Sequence, residues 1–143
     1  ADPENESYFS ENLAVFKEKA DEADLEIRET LAPYEGREIV TFHDAWGYFA
    51  EEYGLKVVAS FEPFPGDEPT PGYLKDLSDA VKEKNIGVIF SEPAFSADSV
   101  RAFTSDLGIN LFVLYPAEEY SSQATFIETM VYNAKTIAEA LSE

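Results

Sequence analysis

The chain holds one histidine, His43, and one tryptophan, Trp46, and both fall in the stretch Thr41-Phe42-His43-Asp44-Ala45-Trp46-Gly47-Tyr48-Phe49. An imidazole can act as a general base, ligate a metal, or be satisfied by a backbone carbonyl. The endings of the apolar runs bear on that choice. The first run ends in His43-Asp44, the second in Glu62-Pro63, the third in Glu92-Pro93 and the fourth in Tyr115-Pro116. Asp67-Glu68 and Glu118-Glu119 follow the second and the fourth closely. Three of these endings have proline next, which stops a strand and fixes the direction of exit. If the runs are strands of one parallel sheet, their final side chains arrive together at its carboxyl edge, where such sheets bind ligands. One imidazole among several carboxylates is a donor set for a cation. Nitrogen with oxygen suits zinc, manganese or iron(II), whereas an all-oxygen cage suits calcium or magnesium.

A histidine flanked by carboxylates is also a general base. The chain has no cysteine, and it shows no Gly-x-Ser-x-Gly elbow, phosphate loop, dinucleotide fingerprint or His-Glu-x-x-His pair. Ser60 and Ser91 fall inside apolar runs and read as packing residues. On the residues alone, cation binding, an interaction module and catalysis all stay open.

Each candidate side chain needs a strand to carry it. The four runs, residues 39–42, 57–61, 86–90 and 109–114, are short, rich in β-branched and aromatic residues and largely without polar alternation. That is the pattern of parallel strands buried on both faces. Helical segments lie between them. One runs from Ala45 to about Tyr53 and ends at Gly54; one covers 71–84 behind Thr70, with Pro71 at its first position. One covers 97–107 between Ser96 and Gly108, and the last runs from near Ser121 to Leu141. Cap residues, N-terminal proline and terminal glycine set these bounds. Ahead of them, Asp2-Pro3-Glu4 signals a helix start, with Asp2 as capping carboxylate. Phe9, Leu13, Phe16, Ala20, Ala23, Ile27 and Leu31 then recur at helical spacing as far as Pro33. Such a helix is roughly 43 Å long at about 1.5 Å per residue, against a radius of gyration of about 14 Å for a domain of this size. It is long enough to span more than one domain. The apolar stripes of all the helices, Met130 included, are expected to be core packing. The expected fold is α/β: a three-layer sandwich with a four-stranded parallel sheet and right-handed crossovers, preceded by this long helix.

The 143 residues are 45% hydrophobic and carry 29 acidic against 10 basic side chains, a formal net charge of -19. Nucleic acid and anionic membrane surfaces would repel such a chain. A high-salt or exported setting, or a cationic ligand, suits it. No apolar run approaches the roughly 20 residues of a membrane span. The chain reads as a mature protein, a cytosolic one or a trimmed fragment.

Residues 41–50 resemble the Phe-His-Asp-Ala-Tyr-Gly-Tyr-Phe signature of the zinc/manganese solute-binding proteins of ABC transporters. Pro65-Gly66-Asp67-Glu68-Pro69-Thr70-Pro71, Ile89-Phe90-Ser91-Glu92-Pro93-Ala94-Phe95-Ser96 and Met130-Val131-Tyr132-Asn133-Ala134 match further family motifs in order and spacing. The resemblance covers the whole chain but only about the second half of a family member. It implies two α/β lobes joined by one long helix, with the metal between them. Residues 1–33 would then be the connecting helix and 34–143 the C-terminal lobe. It implies zinc or manganese as the bound ion, His43 as the ligand from this lobe, and a transporter permease as partner in the periplasm or outside the cell. Glu92 and Glu118 are additional candidate ligands. Tyr115 stands where the family often carries an aspartate; a phenol, neutral at ordinary pH, replaces that carboxylate poorly. The first-lobe histidines are not in this sequence, and neither is the histidine-rich loop of many zinc members. The alternative is a metal-free lobe serving as an interaction or dimerisation module. Trp46, Phe61, Phe64 and Tyr115 are expected to make the strand-end face partly apolar, with two chains meeting there or through the first helix.

Overall fold

The computed structural model describes residues 2–62, 69–93, 97–116 and 125–143. Four strands form one parallel sheet: β1 (Glu38–His43), β2 (Lys56–Glu62), β3 (Val88–Ser91) and β4 (Asn110–Val113), in the order β2-β1-β3-β4. The helices are α1 (Glu6–Leu31), α2 (Gly47–Glu52), α3 (Pro71–Glu83), α4 (Ala97–Leu107) and α5 (Phe126–Ser142). The parallel α/β sandwich expected from the sequence is the fold observed.

Alternation along the two central strands sorts the core into two halves. Ile39, Val88 and Phe90 point to one face and pack with Ile27 and Leu31 of α1, Ala50 of α2, and Ala134, Ile137 and Leu141 of α5. Val40, Phe42 and Ile89 point to the other face, against Leu77 and Val81 of α3 and Val100 of α4. Full burial on both faces holds for β1 and β3 in their interiors, whereas the outer strands β2 and β4 are partly exposed. The sequence pattern does not separate inner from outer strands here, because all four runs are similarly apolar.

Several boundaries differ from expectation for local reasons. β3 begins at Val88 rather than Ile86, because Asn85 takes a left-handed conformation (φ 52°) and the Ile86 N–H still bonds to Val81 O at 2.9 Å. α2 starts at Gly47 because Asp44 and Ala45 form the turn that leaves the strand. α5 starts at Phe126, later than the expected Ser121, behind a capping box. Thr125 accepts from the Glu128 N–H, and the Glu128 carboxylate accepts from the Thr125 N–H at 2.7 Å. Thr70 caps α3 as expected, accepting from the Tyr73 N–H. Gly54 (φ 77°) accepts from the Gly36 N–H at 2.7 Å, and a Cβ on it would lie 3.3 Å from Glu35 Cγ.

The first helix is unbroken over 26 residues, about 39 Å at roughly 1.5 Å per residue. A short 3-10 turn, Pro3–Asn5, precedes it, and Asp2 accepts from the Asn5 side-chain amide rather than capping a backbone N–H. Its stripe was expected to be core along its whole length. Only Ala23, Ile27 and Leu31 are buried, next to α5, while Phe9, Leu13 and Phe16 are 54%, 52% and 51% exposed. The periodicity is real, but among the described residues the first half of the stripe is not covered by a core.

The buried end of α1 is tied to α2 by a polar cluster. Arg28 donates to Asp24 at 2.8 Å and to the Glu52 carboxylate, and its guanidinium lies over the Tyr53 ring at 5.4 Å. Tyr53 O–H donates to Asp24 at 3.0 Å. Partial burial and this bond push the Tyr53 phenol up to about 12. The Arg28 guanidinium holds Asp24 below the usual carboxylate range. The pairs are surface-exposed and screened by solvent, so they add little to stability; they bridge α1 to the end of α2, while the packing of Ile27 and Leu31 in the core holds the helix in place.

Candidate functional site

Side-chain alternation places His43 on the same face as Ile39 and Thr41, and Glu92 on the same face as Val88 and Phe90. β1 and β3 are neighbours, with Val40 opposite Ile89 and Thr41 opposite Phe90. Carried on by two residues, that register sets His43 level with Glu92. Their side chains meet: His43 Nδ1 lies 2.6 Å from Glu92 Oε1. Trp46 Nε1–H donates to the same oxygen at 3.0 Å. Glu92 is 2% exposed and Trp46 is buried in the core, with its ring edge-on to Phe49 at 5.9 Å. His43 is only partly buried, its side chain keeping 20% of its accessibility.

The backbone at this point is held as firmly as the side chain. The His43 carbonyl accepts from Thr41 Oγ1 at 2.9 Å and from the Ala45 N–H at 3.0 Å. Asp44 is exposed, and Glu62, the residue paired with His43 on β2, is buried at the same edge.

Tyr115 follows β4, two strands from β1, roughly 10 Å at about 4.8 Å per strand. Its ring stands against Tyr132 of α5 at 5.6 Å. Its peptide is clamped by Asn133, which is fully buried: the Tyr115 N–H donates to Asn133 Oδ1 at 3.0 Å, and Asn133 Nδ2 donates to the Tyr115 carbonyl at 2.9 Å. The motif Met130-Val131-Tyr132-Asn133-Ala134 thus positions the exit of β4. Glu118, Glu119, Asp67, Glu68 and Phe64 lie outside the described residues, as does Ser96.

Two expectations about the strand-end face need correction. Trp46 and Phe61 do not make it apolar: both are core residues, at 5% and 2% exposure. Among the described residues, five exposed large apolar side chains lie on the first half of α1, from Tyr8 to Phe16, and Tyr48, on the short helix behind β1, is exposed as well. The Trp46 N–H, to which the sequence reading assigns no partner, reaches Glu92. The signal available in the sequence was that a buried tryptophan needs a partner for its N–H. Among the described residues, no group of three or more histidine, cysteine, aspartate or glutamate side chains could hold a metal ion. The described part of this edge therefore offers a held imidazole, and an ion there needs further ligands.

The family model described as "Zinc-uptake complex component A periplasmic" (ZnuA) matches residues 1–140. The "High-affinity zinc uptake system protein ZnuA" of Bacillus subtilis (strain 168) is 31% identical over 145 residues, covering 98% of this chain and 46% of its own length. The "Manganese ABC transporter substrate-binding lipoprotein PsaA" of Streptococcus anginosus is 28% identical and covers 99% of this chain and 48% of its own. The solved structure of the laminin binding protein of Streptococcus agalactiae, described as having adhesin and metal transporting activity, superposes with a TM-score of 0.87 at 27% identity. It covers 98% of this chain, and the match takes up 54% of that one. The chain thus spans about half the length of these relatives.

Proposed function

We propose that this chain, which belongs to the ZnuA family of periplasmic zinc-uptake components, captures zinc or manganese for an ABC transporter, with His43 as a ligand to the ion. The family is one of uptake components, not of enzymes. The observation that carries the reading is His43 itself: a partly accessible imidazole at the carboxyl edge of the sheet, with an oxygen of a buried carboxylate 2.6 Å from its Nδ1. A nitrogen donor there favours zinc or manganese over magnesium or calcium. Residues 1–33 serve as the connecting helix and 34–143 as one lobe, the further ligands coming from outside the described residues, Glu118 among the candidates. Glu92, the other candidate, is so deeply buried that a hydrated cation reaches it poorly. Among the described residues, no helix is long and apolar enough to cross a membrane. Export to the periplasm or cell exterior and delivery to a membrane permease fit the family.

Calorimetric titration of zinc into the parent chain, His43→Ala and Tyr115→Asp tests this. Parent binding should be weak, since one imidazole is not a closed site, and should weaken further on acidification, because protons compete for the ligating nitrogen. His43→Ala should lose that acid-sensitive component, and Tyr115→Asp should tighten binding. If His43→Ala matches the parent in affinity and pH profile, the ion sits on surface carboxylates and the reading is wrong.

The exposed stripe Phe9, Leu13 and Phe16 favours a second reading, in which the chain is an interaction module and two copies associate through α1. In salt high enough to screen the net charge, light scattering should then report a dimer that Phe9→Ser/Phe16→Ser dissolves. A monodisperse monomer at high micromolar concentration counts against it.

A further inference from the structure

The geometry points to Glu92 and Trp46 as positioning residues that hold the His43 imidazole in its Nδ1–H form and so present Nε2 to the ion. The inference rests on the reading of His43 as a metal ligand and goes beyond it, because it says which nitrogen coordinates and what selects it.

Glu92 Oε1 lies 2.6 Å from His43 Nδ1 and accepts the Trp46 N–H at 3.0 Å. An ionised carboxylate accepts only, so a neutral His43 that bonds to it must carry its proton on Nδ1. A neutral imidazole with its proton on Nδ1 has its lone pair on Nε2, the nitrogen that can then coordinate. Metal-bound histidines commonly donate their other N–H to a carboxylate, which fixes the ring and raises its basicity. The tryptophan contributes in a different way. Its Nε1–H is a donor only, and its ring is buried in the core, edge-on to Phe49. It therefore fixes the direction of the carboxylate without competing for the histidine's proton. The three residues come from the end of β1, the turn behind it and the end of β3, so the arrangement forms only when the sheet does.

A merely structural role for the buried carboxylate would leave the imidazole tautomer unspecified, and this chain allows the tautomer to be read directly. It has one histidine and one tryptophan, so a nitrogen-15 spectrum shows one imidazole and one indole. In metal-free protein at mildly alkaline pH, the parent should show the Nδ1–H form. Glu92→Gln, whose amide oxygen can still accept, should keep it. Glu92→Leu should shift the population towards Nε2–H, move the indole resonance and weaken zinc binding roughly 10- to 100-fold. Trp46→Phe, which keeps the buried ring but not the donor, should give a smaller loss in the same direction. A parent imidazole found mainly as Nε2–H overturns the inference, even if Glu92→Leu does not fold. So does a Trp46→Phe or Glu92→Leu variant that folds with tautomer and zinc affinity unchanged. Absence of zinc binding by the parent would instead overturn the metal-capture reading, and the tautomer measurement would still judge the positioning role.

Discussion

His43 and Glu92 meet across the two central strands at 2.6 Å, one partly open to solvent and the other almost fully enclosed. Sequence neighbours do not create this pair; the adjacency of β1 and β3 does. A metal held at His43 through nitrogen should be distinguishable from one held by carboxylates alone. Zinc titrations repeated in a large excess of magnesium or calcium should give an unchanged isotherm, because these hard ions prefer oxygen ligands. Displacement of zinc by magnesium would mean that the imidazole is not a ligand.

Asn133 satisfies both polar groups of the Tyr115 backbone while itself fully buried. Replacing it with leucine orphans a buried donor and a buried acceptor, at about 1–3 kcal/mol for each group left unsatisfied. Urea unfolding should show a clear drop in midpoint for Asn133→Leu. Asn133→Asp should also be destabilised, because it loses the donor to the Tyr115 carbonyl and buries a carboxylate against it. A midpoint equal to the parent's would show that the exit of β4 does not depend on this clamp.

The capping box of α5 should give the protein an acid-labile contribution. Backbone and side-chain hydrogen bonds from Thr125 hold the Glu128 carboxyl below its ordinary value. Its stabilising effect is therefore complete above the unfolded carboxyl value and is lost as the pH falls through the lower folded one. Thr125→Ala should cost about 1 kcal/mol at neutral pH and progressively less in acid. A cost independent of pH would show that Glu128 takes no part.

The net charge of -19 opposes the compact state by self-repulsion. Added sodium chloride should raise the melting temperature, with most of the gain coming once the screening length falls to about 10 Å, near 0.1 M. Thermal melts at increasing salt test this. A melting temperature that falls or stays flat would mean that the acidic side chains are already well separated on the folded surface.

The secondary elements, the parallel sheet and the long first helix were legible in the sequence, because periodicity, caps and proline positions act over a few residues. So was the delivery of His43, Glu62, Glu92 and Tyr115 to one edge, since a parallel sheet sends all its strand ends the same way. What those side chains do there was not legible. Strand order sets Glu92 beside His43 and Tyr115 two strands away, and order is fixed by how the helices pack, which no local pattern encodes. The exposure of Phe9, Leu13 and Phe16 escaped for the same reason. An apolar stripe reports that a helix has a face to cover, and only the packed structure decides whether this chain covers it. Trp46 shows both levels at once. Its place at the end of the first strand could be read from the chain, but its burial and the bond from its N–H to Glu92 exist only because β3 ends beside β1.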